Sequence, residues 1–160
     1  MRVVVVGAGL AGLVAARDLA REHEVVVLDK GRSVGGRLAT RRIGDAVLDH
    51  GAQFFTVRGD DFRTQVDDWI ARDVARVWCH GFDGGGDGYP RYCGTTGMTA
   101  LAKDLARGLD VRCGTMVFTI RPGADAWQVI IDDATSVAAD VVVLTCPVPQ
   151  SWALLMESGV

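Results

Sequence analysis

An α/β fold built on a parallel sheet is what this sequence predicts, and three features of its first 36 residues predict it. Val3–Val6 is an unbroken β-branched run, the pattern of a strand covered on both faces. Glu24–Asp29 (EVVVLD) repeats that pattern. Between the two, Leu10 to Glu22 reads as a helix, with Leu13, Ala16, Leu19 and Ala20 forming an apolar stripe. Strand, helix and strand in this order make one right-handed βαβ unit with two parallel strands.

The turn between the first strand and the helix is Gly7-Ala8-Gly9-Leu10-Ala11-Gly12, a G-x-G-x-x-G run placed where its mechanism requires. Gly7 permits the tight turn. Gly9 lacks a Cβ, so backbone can approach a pyrophosphate, and Gly12 lets the helix pack close to the strands. The helix start offers free N–H groups and a partial positive charge to phosphates. Asp29 ends the second strand where an acid accepts hydrogen bonds from a ribose 2′-hydroxyl, and its charge would repel a 2′-phosphate. These features predict a Rossmann-type site for the ADP half of a dinucleotide. The plainer reading, glycines for packing and an acid that caps a strand, is weaker because strand, glycines, helix and acid agree.

Further along, Arg37–Ile43 and Ala46–His50 read as short strands joined at Gly44-Asp45. Asp60–Arg72 reads as an amphipathic helix with Phe62, Val66, Trp69 and Ile70 at helical spacing. Val74–Trp78 reads as a strand, and Gly81–Gly88 (GFDGGGDG) as a flexible surface loop. Met98–Leu109 reads as a second amphipathic helix. Four strands are then expected at Asp110–Cys113, Met116–Arg121, Trp127–Asp132 and Asp140–Thr145, the last stopped by Pro147 and Pro149. A helix begins at Gln150 and continues to Met156.

Composition narrows the function classes. The net charge of −3 and the absence of any Lys/Arg run longer than Arg41-Arg42 speak against nucleic acid. Val3 to Ala16 is apolar but shorter than the ~20 residues a membrane span needs, and it lacks a clean cleavage site, so neither a span nor a signal peptide is expected. Cys79, Cys93, Cys113 and Cys146 show no C-x-x-C spacing. They read as buried thiols of a cytoplasmic protein, with no metal site expected.

A second motif follows the acid: Lys30-Gly31-Arg32-Ser33-Val34-Gly35-Gly36-Arg37. A Gly-Gly-Arg here sets a guanidinium near the pyrophosphate, where bidentate, permanently charged contact suits it. Over VVVVGAGLAGLVAARDL, VVVLDKGRSVGGRLATRR, LDHGAQFFT, GTTGMTALAKDLA and DVVVLTCPVPQ, in that order, the sequence resembles the flavin-containing amine oxidase superfamily and, within it, the renalase-like group.

The resemblance implies an FAD/NAD(P)-binding domain of glutathione-reductase type with a β-meander and the start of a substrate domain. The cofactor domain is expected over 1–58 and 93–148, and a partial substrate domain over 59–92 and 149–160. FAD is the implied cofactor. Gly7, Gly9 and Gly12, with Ala8, Leu10 and Ala11 between them, would contact the pyrophosphate, and Asp29 with Lys30 the adenosine ribose. Gly35, Gly36, Arg37 and Leu38 would lie along the phosphates. Ala52, Gln53 and Phe54 fall where the family chain passes the flavin ring, Val117 where backbone reaches the adenine, and Thr145 and Pro147 beside the cofactor. The implied reaction moves hydride from a reduced amine or dihydronicotinamide-type substrate to flavin and then to oxygen.

Family members run to about twice this length, so the sequence reads as an N-terminal half, with the C-terminal half or a second copy as a partner and apolar surface exposed for it. Thr95-Thr96 and Cys146 depart from the usual family residues. Two other readings stay open: a non-catalytic truncated dinucleotide-binding module, and an NAD(H)-dependent dehydrogenase domain. No catalytic residue is named. His50 reads either as a flavin-tuning group or as a strand-end histidine in a hydrogen-bond network. Phe54, Phe55 and Trp78 are candidates for a ring pocket, whereas Trp69 reads as core.

Overall fold

The computed structural model describes residues 1–82, 88–156 and 158–159. Most of the expected Gly81–Gly88 loop, residues 83–87, lies outside them. The chain divides into two compact units, Met1–Gly36 with Leu105–Val160, and Arg37–Asp104.

The first unit holds a four-stranded parallel sheet. Its strands are β1 (Arg2–Val6), β2 (Glu24–Asp29), β7 (Asp110–Cys113) and β11 (Val141–Leu144), in the order β11-β1-β2-β7. Helix α1 (Leu10–Leu19) makes the crossover from β1 to β2, which are neighbours. β1 pairs on its other side with β11, Val3 opposite Val141. The strand order therefore reverses at β1, and the carboxyl ends of all four strands share one edge. That edge is where open α/β sheets bind ligands.

Alternation along the strands serves two cores. Val4, Val6, Val26 and Leu28 pack with Ile120, Val129, Val137, Ala139 and Leu154. Gly12, Leu13 and Ala16 of α1 are buried over the opposite face. The first four of the second group belong to an antiparallel meander of β8 (Val117–Pro122), β9 (Trp127–Ile131) and β10 (Ser136–Ala139). Strand β10 was not expected, because SVAA lacks the bulky β-branched signature. It is fixed by its ladder to β9, Val137 opposite Val129. Helix α4 (Val148–Met156) starts two residues earlier than expected. Pro149 falls in its first turn, where the missing N–H costs nothing. Val148, Trp152 and Met156 recur every four residues along α4 and are exposed.

The second unit holds two hairpins and two helices. β3 (Thr40–Ile43) and β4 (Ala46–Asp49) pair antiparallel around Gly44, whose φ is +57°. The residues before β3 form a single 3-10 turn, Gly36–Leu38, so the strand starts three residues later than its pattern suggests. α2 (Asp60–Ala71) carries Asp60 and Asp61 in its first turn, the favourable end for acids. Val66 and Trp69 are buried, whereas Phe62 and Ile70 are partly exposed.

β5 (Ala75–Cys79) pairs with β6 (Arg91–Gly94), a strand that the sequence pattern did not announce. Helix α3 (Thr99–Leu105) is four residues shorter at its C-terminal end than expected. Gly108 takes φ +79°, which ends helical geometry there. Trp69 is core as expected. Its ring meets Phe55 and Phe62 edge-on, and its indole N–H donates to the buried Asp104 at 2.9 Å. Among the described residues no helix is long and apolar enough to cross a membrane.

Candidate functional site

The glycine turn after β1 is shaped by contacts a side chain would break. Gly7 adopts φ +110°, and its N–H donates to the Leu28 carbonyl at 2.8 Å. A Cβ on Gly12 would lie 1.9 Å from the Gly7 carbonyl oxygen. A Cβ on Gly9 would meet nothing within 4 Å, so Gly9 faces open space. α1 begins there with no side-chain cap and no acid in its first turn, and its leading N–H groups are left for an external anion. Leu10 and Ala11 are exposed at that opening, and Ala8 is fully buried beneath it.

Asp29 organises the turn from the end of β2. One carboxylate oxygen accepts the Ala8 N–H and the other the Gly31 N–H, both at 2.6 Å. Each oxygen keeps a further lone pair. Asp29 thus acts as a cap, the plainer reading of the sequence, and retains capacity for a ribose hydroxyl. Lys30 beside it is exposed.

The second motif folds back onto the first. The Gly35 N–H donates to the Ala8 carbonyl at 2.8 Å, and Gly35 bridges Gly9 in parallel. Gly36, at φ +51°, approaches so closely that its Cβ would stand 3.4 Å from the Gly9 Cα. From the other side, the Thr145 hydroxyl lies 3.0 Å from the Val6 carbonyl and 3.1 Å from that of Gly7. The β7–β8 connection closes the same edge, with the Thr115 N–H donating to the Asp29 carbonyl at 2.9 Å. Val117 follows as the first residue of β8. Pro147 is exposed and uses its carbonyl to start α4, accepting the Gln150 and Ser151 N–H groups. Cys113, opposite Asp29 in register, has its thiol pushed up by burial and then by the Asp29 carboxylate.

In the second unit, Arg37 is exposed and Leu38 is buried. The Arg37 carbonyl accepts the Ala52 N–H at 2.8 Å, and a Cβ on Gly51 would lie 2.1 Å from that oxygen. Gly51 is therefore obligatory for the turn that presents Ala52, Gln53 and Phe54. Gln53 lines a cleft of about 410 Å³ together with Val47, Leu48, Asp49, Arg76, Trp78, Cys93 and Gly94–Gly97. The Phe54 ring sits 6.0 Å from Trp78 and 5.6 Å from Phe82. Phe55 stacks on Tyr92 at 5.5 Å on the core side. Of the expected ring-pocket residues, Trp78 is in the cleft wall, Phe54 braces it and Phe55 belongs to the core. His50 is exposed and uses its backbone N–H on Ala39.

Sequence reasoning passed over the clasp that holds this cleft. The Thr40 N–H donates to the Thr99 hydroxyl, and the Thr99 N–H to the Thr40 hydroxyl, at 2.7 and 3.0 Å. The Thr40 hydroxyl in turn donates to Asp49, which also accepts the Met98 N–H at 2.9 Å. In the sequence Asp49 is marked only by its place before His50.

The fold and the glycine site define a Rossmann-type dinucleotide-binding protein. Residues 5–69 match the family model for an NAD(P)-binding Rossmann-like domain, and residues 71–155 match that for a flavin containing amine oxidoreductase. The chain belongs to the flavin containing amine oxidoreductase family. Mouse (Mus musculus) renalase is 27% identical over 163 residues, covering 93% of this chain and 48% of renalase. "Putative flavin-containing monoamine oxidase AofH" of Mycobacterium tuberculosis (strain CDC 1551 / Oshkosh) is 53% identical over 53 residues, 32% of this chain and 12% of that protein. Wild-type putrescine oxidase, solved bound to putrescine, shares the fold with a TM-score of 0.68 at 16% identity, over 92% of this chain and 58% of that one. The chain thus spans less than two thirds of each of these relatives.

Proposed function

We propose that the chain carries the ADP-binding part of an FAD-dependent oxidoreductase of renalase and amine-oxidase type. The open space at Gly9, over an uncapped α1 and between the Gly35-Gly36 turn and Asp29, is the observation that carries this reading. The residues fit the group. Backbone N–H groups of the first α1 turn would hold the pyrophosphate, Asp29 and Lys30 the ribose, Arg37 and Leu38 the chain leading from it, and the backbone at Val117 the adenine. Thr145 keeps the glycine turn in shape, and Pro147 redirects the chain beside it. Ala52, Gln53 and Phe54 are assigned to the flavin ring, and the second unit's cleft to the substrate. The chemistry such a cofactor would supply there is two-electron oxidation, with a reduced amine or dihydronicotinamide-type substrate as hydride donor and oxygen as final acceptor.

The family match favours flavin over a plain nicotinamide dehydrogenase, as does the Gly-Gly-Arg segment. Four free thiols suit a reducing compartment such as the cytoplasm. The exposed apolar residues of α4 suit packing against further polypeptide. The test is the visible absorbance spectrum of the purified chain before and after adding FAD and desalting. Retained flavin absorbance is expected. Colourless protein that nonetheless binds NADH tightly would overturn the assignment in favour of the dehydrogenase reading, and colourless protein that binds neither would leave the glycine turn without its assigned ligand.

A further inference from the structure

The two edges of the parallel sheet are built differently. β7 is the charged edge: in DVRC, Asp110 and Arg112 form an ion pair at 2.8 Å. Charged side chains on an edge strand discourage a further strand, and natural sheets protect their edges in this way. β11 at the opposite edge is Val141–Leu144, VVVL, with no charge, proline or bulge. It pairs with β1 on one side only, so the N–H and C=O groups on its outer side have no ladder partner among the described residues. An unbroken apolar run is the pattern of an interior strand of a parallel sheet, yet Val141 still exposes 38% of its surface.

The helix that follows β11 continues its character. Leu154 belongs to the core cluster against which Val142 and Leu144 also pack, which sets α4 on that face of the sheet. The outer side of α4 then presents Val148, Trp152 and Met156, which are 81%, 64% and 67% exposed. No residue of VPQSWALLM is charged. With the outer side of β11 these three leave on the order of 500 Å² of apolar surface open, near the upper end of what monomers show. A face without charge is complementary to itself, since a copy turned about a two-fold axis brings no like charges together. Antiparallel pairing of β11 with the same strand of a second copy sets that axis perpendicular to the sheet, so both α4 helices fall on one face of the joined sheet. Counted over both copies, the open area reaches the about 1,000 Å² that a specific contact needs.

We propose that this face is an interface between two copies of the chain, in which β11 pairs antiparallel with the second copy's β11 to make one continuous sheet and the exposed stripe of α4 is buried across the joint. The contact is independent of the cofactor assignment, because it uses the outer side of β11 and leaves the glycine turn between β1 and β2 untouched.

The test measures the mass of the 160-residue chain by sedimentation from about 1 to 100 μM, with amide hydrogen exchange and flavin retention scored on the same samples. A dimer is expected at the upper concentrations, with β11 amides exchanging more slowly as it forms. Val141→Lys puts a charge on the strand edge, and Trp152→Glu puts one on the helix stripe. Each is expected to weaken dimerisation at least about tenfold. Both positions are exposed, so unchanged circular dichroism is expected of both variants. Should either variant misfold, the concentration-dependent protection of β11 in the unaltered chain decides alone. A chain that stays monomeric throughout would overturn the proposal and leave the face to a different polypeptide. A dimer indifferent to either substitution, a dimer without protection of β11, or open-ended oligomers, which mark a heterologous contact, would overturn it equally. Flavin retained by a monomer defeats only this inference, whereas a dimer without flavin defeats only the cofactor assignment.

Discussion

Asp29 and Ala8 are joined by a 2.6 Å hydrogen bond from backbone to carboxylate, so the acid at the end of β2 holds the glycine turn at the end of β1. Because the same carboxylate also receives the Gly31 N–H, one side chain sets the positions of two loops. Replacing it with alanine leaves two N–H groups without an acceptor, at a cost of roughly 1–3 kcal/mol for each that is denied water. Asp29→Ala is expected to lower the urea midpoint and to reduce flavin retention. Asp29→Asn, which keeps one acceptor oxygen, should fall between. An Asp29→Ala variant with an unchanged midpoint would show that water replaces the carboxylate at no cost.

Two glycines of one turn, Gly9 and Gly12, separate folding from binding. Gly12→Ala sets a methyl against the Gly7 carbonyl, with a built separation of 1.9 Å, and overpacking of this kind costs about 1–3 kcal/mol. Gly9→Ala meets nothing within 4 Å. The expected outcome is a destabilised Gly12→Ala chain and a Gly9→Ala chain of near-normal stability that retains less flavin. Thermal melts read the first effect and desalted absorbance spectra the second.

Asp104 is a buried acid whose partners include the Trp69 indole and the Arg72 guanidinium, the latter at 2.6 and 2.8 Å. Asp104 first, and Asp68 after it, push the Arg72 pKa up, so the guanidinium stays charged at any working pH. Asp104→Ala removes both interactions. A loss of about 2 kcal/mol is expected, below the figure for a fully buried pair because Arg72 reaches solvent. Denaturant titration checks it, and Asp68→Ala, on the exposed side, should cost far less.

Cys113, opposite Asp29 at the end of β2, provides a pH-dependent readout. Burial and the Asp29 charge disfavour its thiolate. The neutral thiol is thus the form the fold prefers. Its stabilising contribution is present below the unfolded thiol's pKa of about 8.5 and is lost as pH rises through the higher folded value. Alkylation of Cys113 by iodoacetamide at mildly alkaline pH should be slower than that of a free cysteine peptide. Asp29→Asn should accelerate it, and mass spectrometry of the labelled peptides distinguishes it from the other three cysteines.

Much of the glycine site was legible because its signals are local. Val3–Val6, the three glycines and Asp29 lie within one βαβ unit, and the strand limits of β2 and β7 follow directly from side-chain pattern. Thr145 ends the last strand of the sheet in sequence, but only the β1–β11 pairing sets its hydroxyl against the Val6 and Gly7 carbonyls. The rest depended on pairing at a distance. β6 is four residues long and its register with β5 shifts between Val77 and Cys79, so no period marks it. Arg76 was one arginine among many until β5 met β6 and set it beside Cys93. Asp49 became a positioning acid only through Thr40 and Met98, nine and 49 residues away in sequence.

The place of β1 between β2 and β11 has a consequence for how the molecule is made. Val3 pairs with Val25 and with Val141. As the chain leaves the ribosome, the first of these partners is available early, and the second only after more than a hundred further residues have been added. Closing so large a loop is slow. During synthesis one edge of the apolar Val3–Val6 run stands open, and nascent chains with such edges are prone to aggregate. A nascent-chain chaperone that shields Val3–Val6 until β11 emerges would therefore determine how much of the protein reaches its native sheet.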